Sequence, residues 1–359
     1  MHLGFHRRER RHDTQTHAPI LGFVEGARQT IPLRDTFGRV ADDLRISVTD
    51  RCNFRCVYCM PAAGMAWLAR DEVLSFEEIV RLTRILVEEC GVRTIRLTGG
   101  EPLVRKGIEQ LTGMIAAIDP SLDIAMTTNG ILLREKAQAL RDAGLRRLNV
   151  SLDTLHSDRF RNLARRDALD RVLDGLAAAR EAGFEPIKLN MVVMRGRNDD
   201  EILDFAKLAR REGYQVRFIE FMPLDADGIW SQDDVVASRD IIEAIDREFP
   251  LEPLLNDRPA PATSFRFKDG AAGGVGVIPS VSDAFCRICN RIRLTAEGHL
   301  RTCLFSLQEH DLKVLLRGGA SDLEIRDAVV RAVWQKEEGH KIGQADFVRP
   351  AKSMSQIGG

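Results

Sequence analysis

Beginning near residue 44, short runs of apolar and β-branched residues alternate with longer stretches in which apolar positions recur every three or four residues. The short runs, at 44–49, 94–98, 123–127, 147–152, 187–193 and 215–221, read as strands, and the stretches between them as amphipathic helices. The clearest helix starts at Ser75. Glu78 follows three residues later to complete a capping box, Ile79, Leu82, Ile85 and Leu86 fall on one face, and Gly91 closes it. Gly144, Gly183 and Gly213 stand where further helices should stop, and a sixth helix begins near Ser238. Strand and helix in alternation predict an α/β architecture around a parallel sheet. Past residue 250 the rhythm breaks: Pro253, Pro259, Pro261 and a glycine-rich stretch at 270–276 separate short strands, and a hairpin is expected over 291–305, turning at Glu297-Gly298. The pattern divides the chain into a leader at 1–36, a repeating βα unit at 37–250 and a small α+β domain at 251–359.

Composition narrows the class. With 359 residues, 44% hydrophobic and 29% charged, the chain is long enough to bury a sizeable core, which excludes a small disulfide scaffold and wholesale disorder. Charge is balanced, 52 Lys+Arg against 53 Asp+Glu, which argues against a protein that coats nucleic acid or binds a membrane surface through basic charge. Residues 1–12 hold four Arg and one Glu and read as a mobile basic leader. No apolar secretion segment and no run of 18 apolar residues follows, so the expected compartment is the cytoplasm.

Six of the seven cysteines form two trios, Cys52, Cys56 and Cys59, then Cys286, Cys289 and Cys303; Cys90 reads as a small buried hydrophobe. Tight spacing and an odd count in a cytosolic chain point to metal or cluster ligation rather than disulfides. Other polar groups gather at expected strand ends: Gly99-Gly100-Glu101-Pro102, the run at 127–130, Ser151 with Asp153, and Glu220 with Met222, while the fifth strand carries Lys188 and Asn190. Ligands of parallel βα folds bind beyond the carboxyl ends of the strands, so these groups are expected on one rim. Three thiolates neither complete a four-cysteine zinc site nor saturate a 4Fe-4S cube. For the second trio, zinc with His299 or His310 as fourth ligand stays open on spacing alone.

The segment Arg51-Cys52-Asn53-Phe54-Arg55-Cys56-Val57-Tyr58-Cys59, followed one βα unit later by Gly99-Gly100-Glu101-Pro102, resembles the radical S-adenosylmethionine (SAM) superfamily. The resemblance implies a partial (βα)6 barrel and a 4Fe-4S cluster on Cys52, Cys56 and Cys59. It also implies that SAM chelates the open iron, yields a 5′-deoxyadenosyl radical on reduction, and is contacted by Tyr58, Gly100, Ser151 and Met222.

The context of the second trio, Cys289-Asn290-Arg291-Ile292-Arg293-Leu294-Thr295-Ala296-Glu297-Gly298 and Leu300-Arg301-Thr302-Cys303-Leu304-Phe305, closely resembles the GTP 3′,8-cyclase family of molybdenum cofactor biosynthesis. That resemblance covers residues 37–359. It implies a second 4Fe-4S cluster on Cys286, Cys289 and Cys303 that binds the guanine base, carried by the C-terminal α+β domain. It also implies GTP contacts from Arg45, Arg96, Thr127, Lys188, Arg291, Ile292 and Arg293, and a tail, Gly358-Gly359, reaching into the active site. The implied reaction is a lyase-class cyclisation that begins with abstraction of the ribose C3′ hydrogen and joins that carbon to C8. Further implications are an external one-electron donor of flavodoxin type, transfer of product to cyclic pyranopterin monophosphate synthase, and a homodimer. The residues agree independently in one respect: Arg291 and Arg293 alternate on a strand, so they share a face, and guanidinium forks match phosphate oxygens. The alternative is a radical SAM peptide-modifying enzyme with an auxiliary cluster; a zinc-stabilised nucleic-acid module and a ferredoxin-like carrier stand further off.

Overall fold

In a computed structural model, residues 30–225, 227–255 and 259–358 are described. The leader at 1–29 lies outside them, so its expected mobility is not addressed. Residues 30–36, expected to belong to that leader, are packed instead. Leu33 is fully buried, and Asp35 accepts the amides of Phe37 and Arg39 and the Arg39 guanidinium.

The six expected strands are β1 (Asp43–Ser47), β2 (Thr94–Thr98), β3 (Asp123–Thr128), β4 (Arg147–Ser151), β5 (Lys188–Val193) and β6 (Gln215–Glu220), each parallel to the next. Helices α1 (Phe76–Glu88), α2 (Ile108–Ala116), α3 (Leu133–Asp142), α4 (Ser157–Ala164), α5 (Leu169–Glu181), α6 (Ile202–Glu212) and α7 (Ser238–Glu248) alternate with them. The capping box that opens α1 is formed: the Ser75 hydroxyl accepts the Glu78 amide at 3.1 Å, and the Glu78 carboxylate accepts the Ser75 amide at 2.7 Å. Ile79, Leu82, Ile85 and Leu86 are buried against the sheet.

Beyond residue 250 come β7 (Leu251–Leu254), β8 (Thr263–Phe267), β9 (Gly274–Ile278), β10 (Arg291–Leu294), β11 (His299–Arg301) and β12 (His310–Asp311), then helices α8 (Leu312–Arg317), α9 (Asp322–Trp334) and α10 (Met354–Ile357). These strands build no sheet of their own. β9 runs parallel beside β6, and β10 runs parallel beside β1, giving one twelve-stranded sheet ordered β12-β11-β10-β1-β2-β3-β4-β5-β6-β9-β8-β7. Half of the glycine-rich stretch read as a separator is therefore strand. A Cβ on Gly273 would stand 2.4 Å from the Ala209 carbonyl and 2.5 Å from that of Tyr214, so these glycines serve close packing rather than looseness.

Parallel sheets are ordinarily apolar on both faces. Here only the helix-covered face is: Leu44, Ile46, Ile95, Leu97, Leu148, Val150, Leu189, Met191, Val216 and Phe218 are fully buried on it. The other face alternates with them and is strongly polar, and it forms the wall of a cavity.

Candidate active site

Strand registers convert sequence positions into rows across that wall. Arg45 pairs in register with Arg293 on one side and Arg96 on the other; Arg96 faces Ala125, which faces Arg147. Four arginines thus lie in one row spanning five strands. The next row toward the strand ends holds Thr98, Thr127, Asn149 and Lys188, and the one after it Ser151, Asn190 and Arg217. Adjacent strands are about 4.8 Å apart, so like charges in such a row are destabilising unless an anion lies among them.

The cavity, of about 630 Å³, is bordered by every proposed SAM contact, Tyr58, Gly100, Ser151 and Met222, and by the first cysteine trio. It is also bordered by Arg45, Arg96, Thr127, Lys188, Arg291 and Arg293. Ile292 is an exception among the expected GTP contacts. Its side chain is fully buried in the apolar core, because alternation on β10 turns it away from the two arginines, and only its backbone remains for a ligand. Sequence reasoning missed Arg147 and Arg217, which also face the cavity. The signal was present: Arg147 in β4, and Arg217 over the first four residues of β6, occupy the polar positions of a period-two pattern whose other positions are apolar.

The wall is under-satisfied. Arg45 Nε, Arg96 Nε and Asn190 Oδ1 are buried and make no hydrogen bond among the described residues. Burial, reinforced by Arg291, Arg293 and Arg96, pushes the Arg45 guanidinium well below its usual range. Burial likewise brings Lys188 down to about 7, helped by Arg217, Arg147 and Arg96, and Arg217 to about 9. Arg147 differs, since Asp123 accepts its Nε at 2.7 Å. Buried cationic donors without partners call for a polyanionic ligand.

The two trios sit at opposite ends of this wall. β1 runs directly into the loop of Cys52, Cys56 and Cys59, whereas Cys286 and Cys289 precede β10, which is parallel to β1. Cys303 follows the antiparallel β11 and so returns to the same end as Cys286. Five residues of strand separate the ends by roughly 16 Å at about 3.3 Å per residue.

The sulfurs suit iron-sulfur clusters better than single ions. Among the described residues neither trio brings three sulfurs within 4.8 Å of one another, while tetrahedral zinc with Zn–S bonds of about 2.3 Å needs sulfurs about 3.8 Å apart. The sulfurs also act as acceptors, as cluster thiolates do: the Phe54 amide donates to Cys52 Sγ at 3.3 Å and the Phe305 amide to Cys303 Sγ at 3.4 Å. His299, weighed as a zinc ligand, is instead engaged at Nδ1 by Glu309 at 2.9 Å and Glu297 at 3.1 Å.

Electrostatics set Cys289 apart from the first trio and from Cys303, whose thiol burial also raises. Burial, with Glu101, lifts Cys52 to about 11; burial, with Asp153, raises Cys56; and Cys59 is lifted to about 12. Burial acts on Cys289 too, but Arg291 and Lys336 outweigh it and hold the thiol at about 6.

Gly99 and Gly100 both border the cavity, and both are also pressed against backbone. A Cβ on Gly99 would lie 2.5 Å from the Thr49 carbonyl, and one on Gly100 2.4 Å from that of Arg51. The Gly100 amide donates to Thr49 O at 2.7 Å and the Glu101 amide to Arg51 O at 2.8 Å, so this turn is locked against the cysteine loop by backbone contact. Glu101 is extended, as Pro102 requires, and staples β3's exit by accepting Thr128 Oγ1 and the Asn129 amide, both at 2.7 Å. Tyr58 donates to Asp153 at 2.8 Å.

The C-terminal tail enters the same space. Met354 borders the cavity, Gly358 lies against Ser47 and Thr98, and its carbonyl accepts from Arg293 Nη1. Gly359 lies outside the described residues.

Comparison with known proteins agrees with this arrangement. Residues 46–209 match the Radical SAM superfamily and 214–342 match Molybdenum Cofactor Synthesis C. The GTP 3′,8-cyclase of Mycolicibacterium smegmatis is 48% identical over 334 residues, 91% of this chain and 92% of its own. That of Streptomyces coelicolor is 48% identical over 336 residues, 93% and 98% of the two chains. Among solved structures, Streptococcus suis SuiB bound to S-adenosylmethionine superposes with a TM-score of 0.57 at 13% identity, over 76% of this chain and 64% of that one, which shows a shared fold over less than two thirds of SuiB. With identity near one half along almost its whole length, the chain belongs to the GTP 3′,8-cyclase family, within the radical SAM superfamily.

Proposed function

We propose that this protein is a lyase-class radical SAM enzyme that binds GTP and cyclises it between ribose C3′ and guanine C8, the opening step of molybdenum cofactor biosynthesis. The observation that carries the reading is the row of Arg293, Arg45, Arg96 and Arg147 on the wall of a cavity bordered by the first cysteine trio at one end and, at the other, by Phe285, Asn290 and Leu304, the chain neighbours of the second trio. A nucleoside triphosphate fits this polarity: phosphates among the unpartnered guanidinium groups, ribose toward Ser151 and Met222, and base toward the second trio.

Cys52, Cys56 and Cys59 would hold a 4Fe-4S cluster that, with SAM, supplies the radical that starts the reaction. The chain's own part is placement. Tyr58, oriented by Asp153, and the turn at Gly100 shape the SAM end. Arg293 at once faces the phosphates and pins the tail through Gly358. The tail, with Met354 on the cavity and Gly358 held against Ser47 and Thr98, would help to keep water and oxygen from the reacting carbon. Cys286, Cys289 and Cys303 would hold a second cluster facing the base. The alternative of a peptide substrate leaves the arginine row without a purpose.

Anaerobic incubation with SAM, dithionite and GTP tests the reading. Deoxyadenosine and a cyclised nucleotide should appear together; deoxyadenosine without nucleotide product would remove GTP as the substrate. No described helix is long and apolar enough to cross a membrane. By family resemblance we place the enzyme in the cytoplasm as a homodimer, fed by a flavodoxin-like donor and handing product to cyclic pyranopterin monophosphate synthase.

Lys188 provides a pH test. Held at about 7 in the free protein, it is largely neutral above that, and a polyphosphate favours its charged form, so binding takes up a proton. GTP affinity should therefore fall as pH rises from about 7.5 to 9.5, by up to about tenfold per unit. Calorimetry should show this slope and its loss in Lys188→Met; a flat profile in the parent protein would count against the assignment.

A further inference from the structure

The second trio is surrounded by cations of unequal status. Arg39 donates Nη1 to the Cys286 carbonyl at 2.7 Å, but its charge is met by Asp35, which accepts its Nε at 2.6 Å. Arg291 stacks on Phe285 at 4.5 Å and borders the cavity. Lys336, two residues past α9, is only 3% exposed, and its Nζ donates to Arg291 O at 2.5 Å and to Cys289 Sγ at 3.7 Å. Among the described residues no carboxylate pairs with it; the charged groups that face it are Cys289, Cys303, Arg39 and Arg291. A buried ammonium with no carboxylate is costly unless another anion takes that place, and the sulfurs are the anions within reach.

We propose that Lys336 is the counter-charge of the second centre, a positioning residue that raises the reduction potential of a cluster on Cys286, Cys289 and Cys303. The inference rests on the second cluster proposed above. Reduction adds an electron to the cluster, and a fixed cation donating to a ligand sulfur stabilises that form. At the first trio the carboxylates Glu101 and Asp153 act on Cys52 and Cys56, with Arg55 opposing at Cys52, and at the second Glu337 opposes Lys336 at Cys303. Lys336 therefore makes the second centre easier to reduce than it would be without that charge.

The test is an anaerobic redox titration of the reconstituted protein followed by electron paramagnetic resonance, with iron counted per chain. In Lys336→Met the second signal should titrate lower by about 59 mV or more, a tenfold change in the oxidised-to-reduced ratio of a one-electron couple, with the first signal unmoved. Lys336→Arg, which keeps the charge, should stay near the parent value. Lys336→Gln, which keeps a donor without the charge, should follow Lys336→Met. Should the neutral variants lose the second centre while Lys336→Arg retains it, the charge is still what the centre requires. Unchanged potentials in fully loaded Lys336→Met and Lys336→Gln, or loss of the centre in Lys336→Arg as well, would overturn the proposal. A parent protein with about four irons and one signal would instead overturn the second cluster itself.

Discussion

A Cys56→Ala protein is expected to form no detectable 5′-deoxyadenosine from SAM under dithionite, and to hold about four irons per chain where the parent holds about eight. Cys56 lies in the middle of its loop, partly buried at the edge of the cavity, and its backbone carbonyl accepts the amides of Cys59 at 2.9 Å and Met60 at 3.0 Å. Alanine keeps those backbone bonds, so the loop retains its turn and the change removes the sulfur alone. GTP binding should survive, because the arginine row is carried by strands β10, β1, β2 and β4 and not by the cysteine loop. Liquid chromatography of the quenched reaction decides the matter: continued deoxyadenosine formation would show that Cys56 is not a ligand of the radical-generating centre.

Replacing Arg293 with Ala is expected to weaken GTP binding by about 10- to 100-fold, as loss of one charge-assisted hydrogen bond of about 1.5–3 kcal/mol implies. Arg293 is 4% exposed, and burial with its neighbour Arg291 lowers it to about 9. The change should reach further than affinity. The same guanidinium donates to the Gly358 carbonyl, so turnover at saturating GTP should fall too, while SAM cleavage in the absence of GTP persists. Calorimetry with GTP and the iron count of the variant separate these effects. An unchanged dissociation constant would take Arg293 out of the substrate site.

What could be read from the chain alone follows from how local each signal is. β1 to β6 lie within a residue or two of their expected bounds, because period-two and period-3.6 patterns are properties of neighbouring residues. The capping box at Ser75 and Glu78 formed for the same reason. The seating of β9 beside β6 and β10 beside β1 was not legible, since nothing in Gly274–Ile278 or Arg291–Leu294 names a partner strand far away in sequence. For the site, the cysteines and the inward arginines of β1, β2 and β10 were legible as residue types. Three details depended on register or on contact between distant segments: the turning away of Ile292, the presence of Arg147 and Arg217, and the separation of the trios. Gly100 was expected to contact a ligand; that a side chain there would also meet the Arg51 and Asp50 backbone was not legible, because only the folded chain brings those segments together.

The seating of β10 has a consequence for how the molecule is made. Asp43 and Arg291 are neighbours in the finished sheet yet are separated by most of the chain. At a synthesis rate of about 5–20 residues per second, the outer edge of the first strand waits on the order of tens of seconds for its neighbour to leave the ribosome. During that interval it offers a bare row of amides and carbonyls to any passing chain. Cutting the gene near codon 250 would make the exposure permanent in both fragments, so neither should accumulate as a well-behaved product unless the two are translated together.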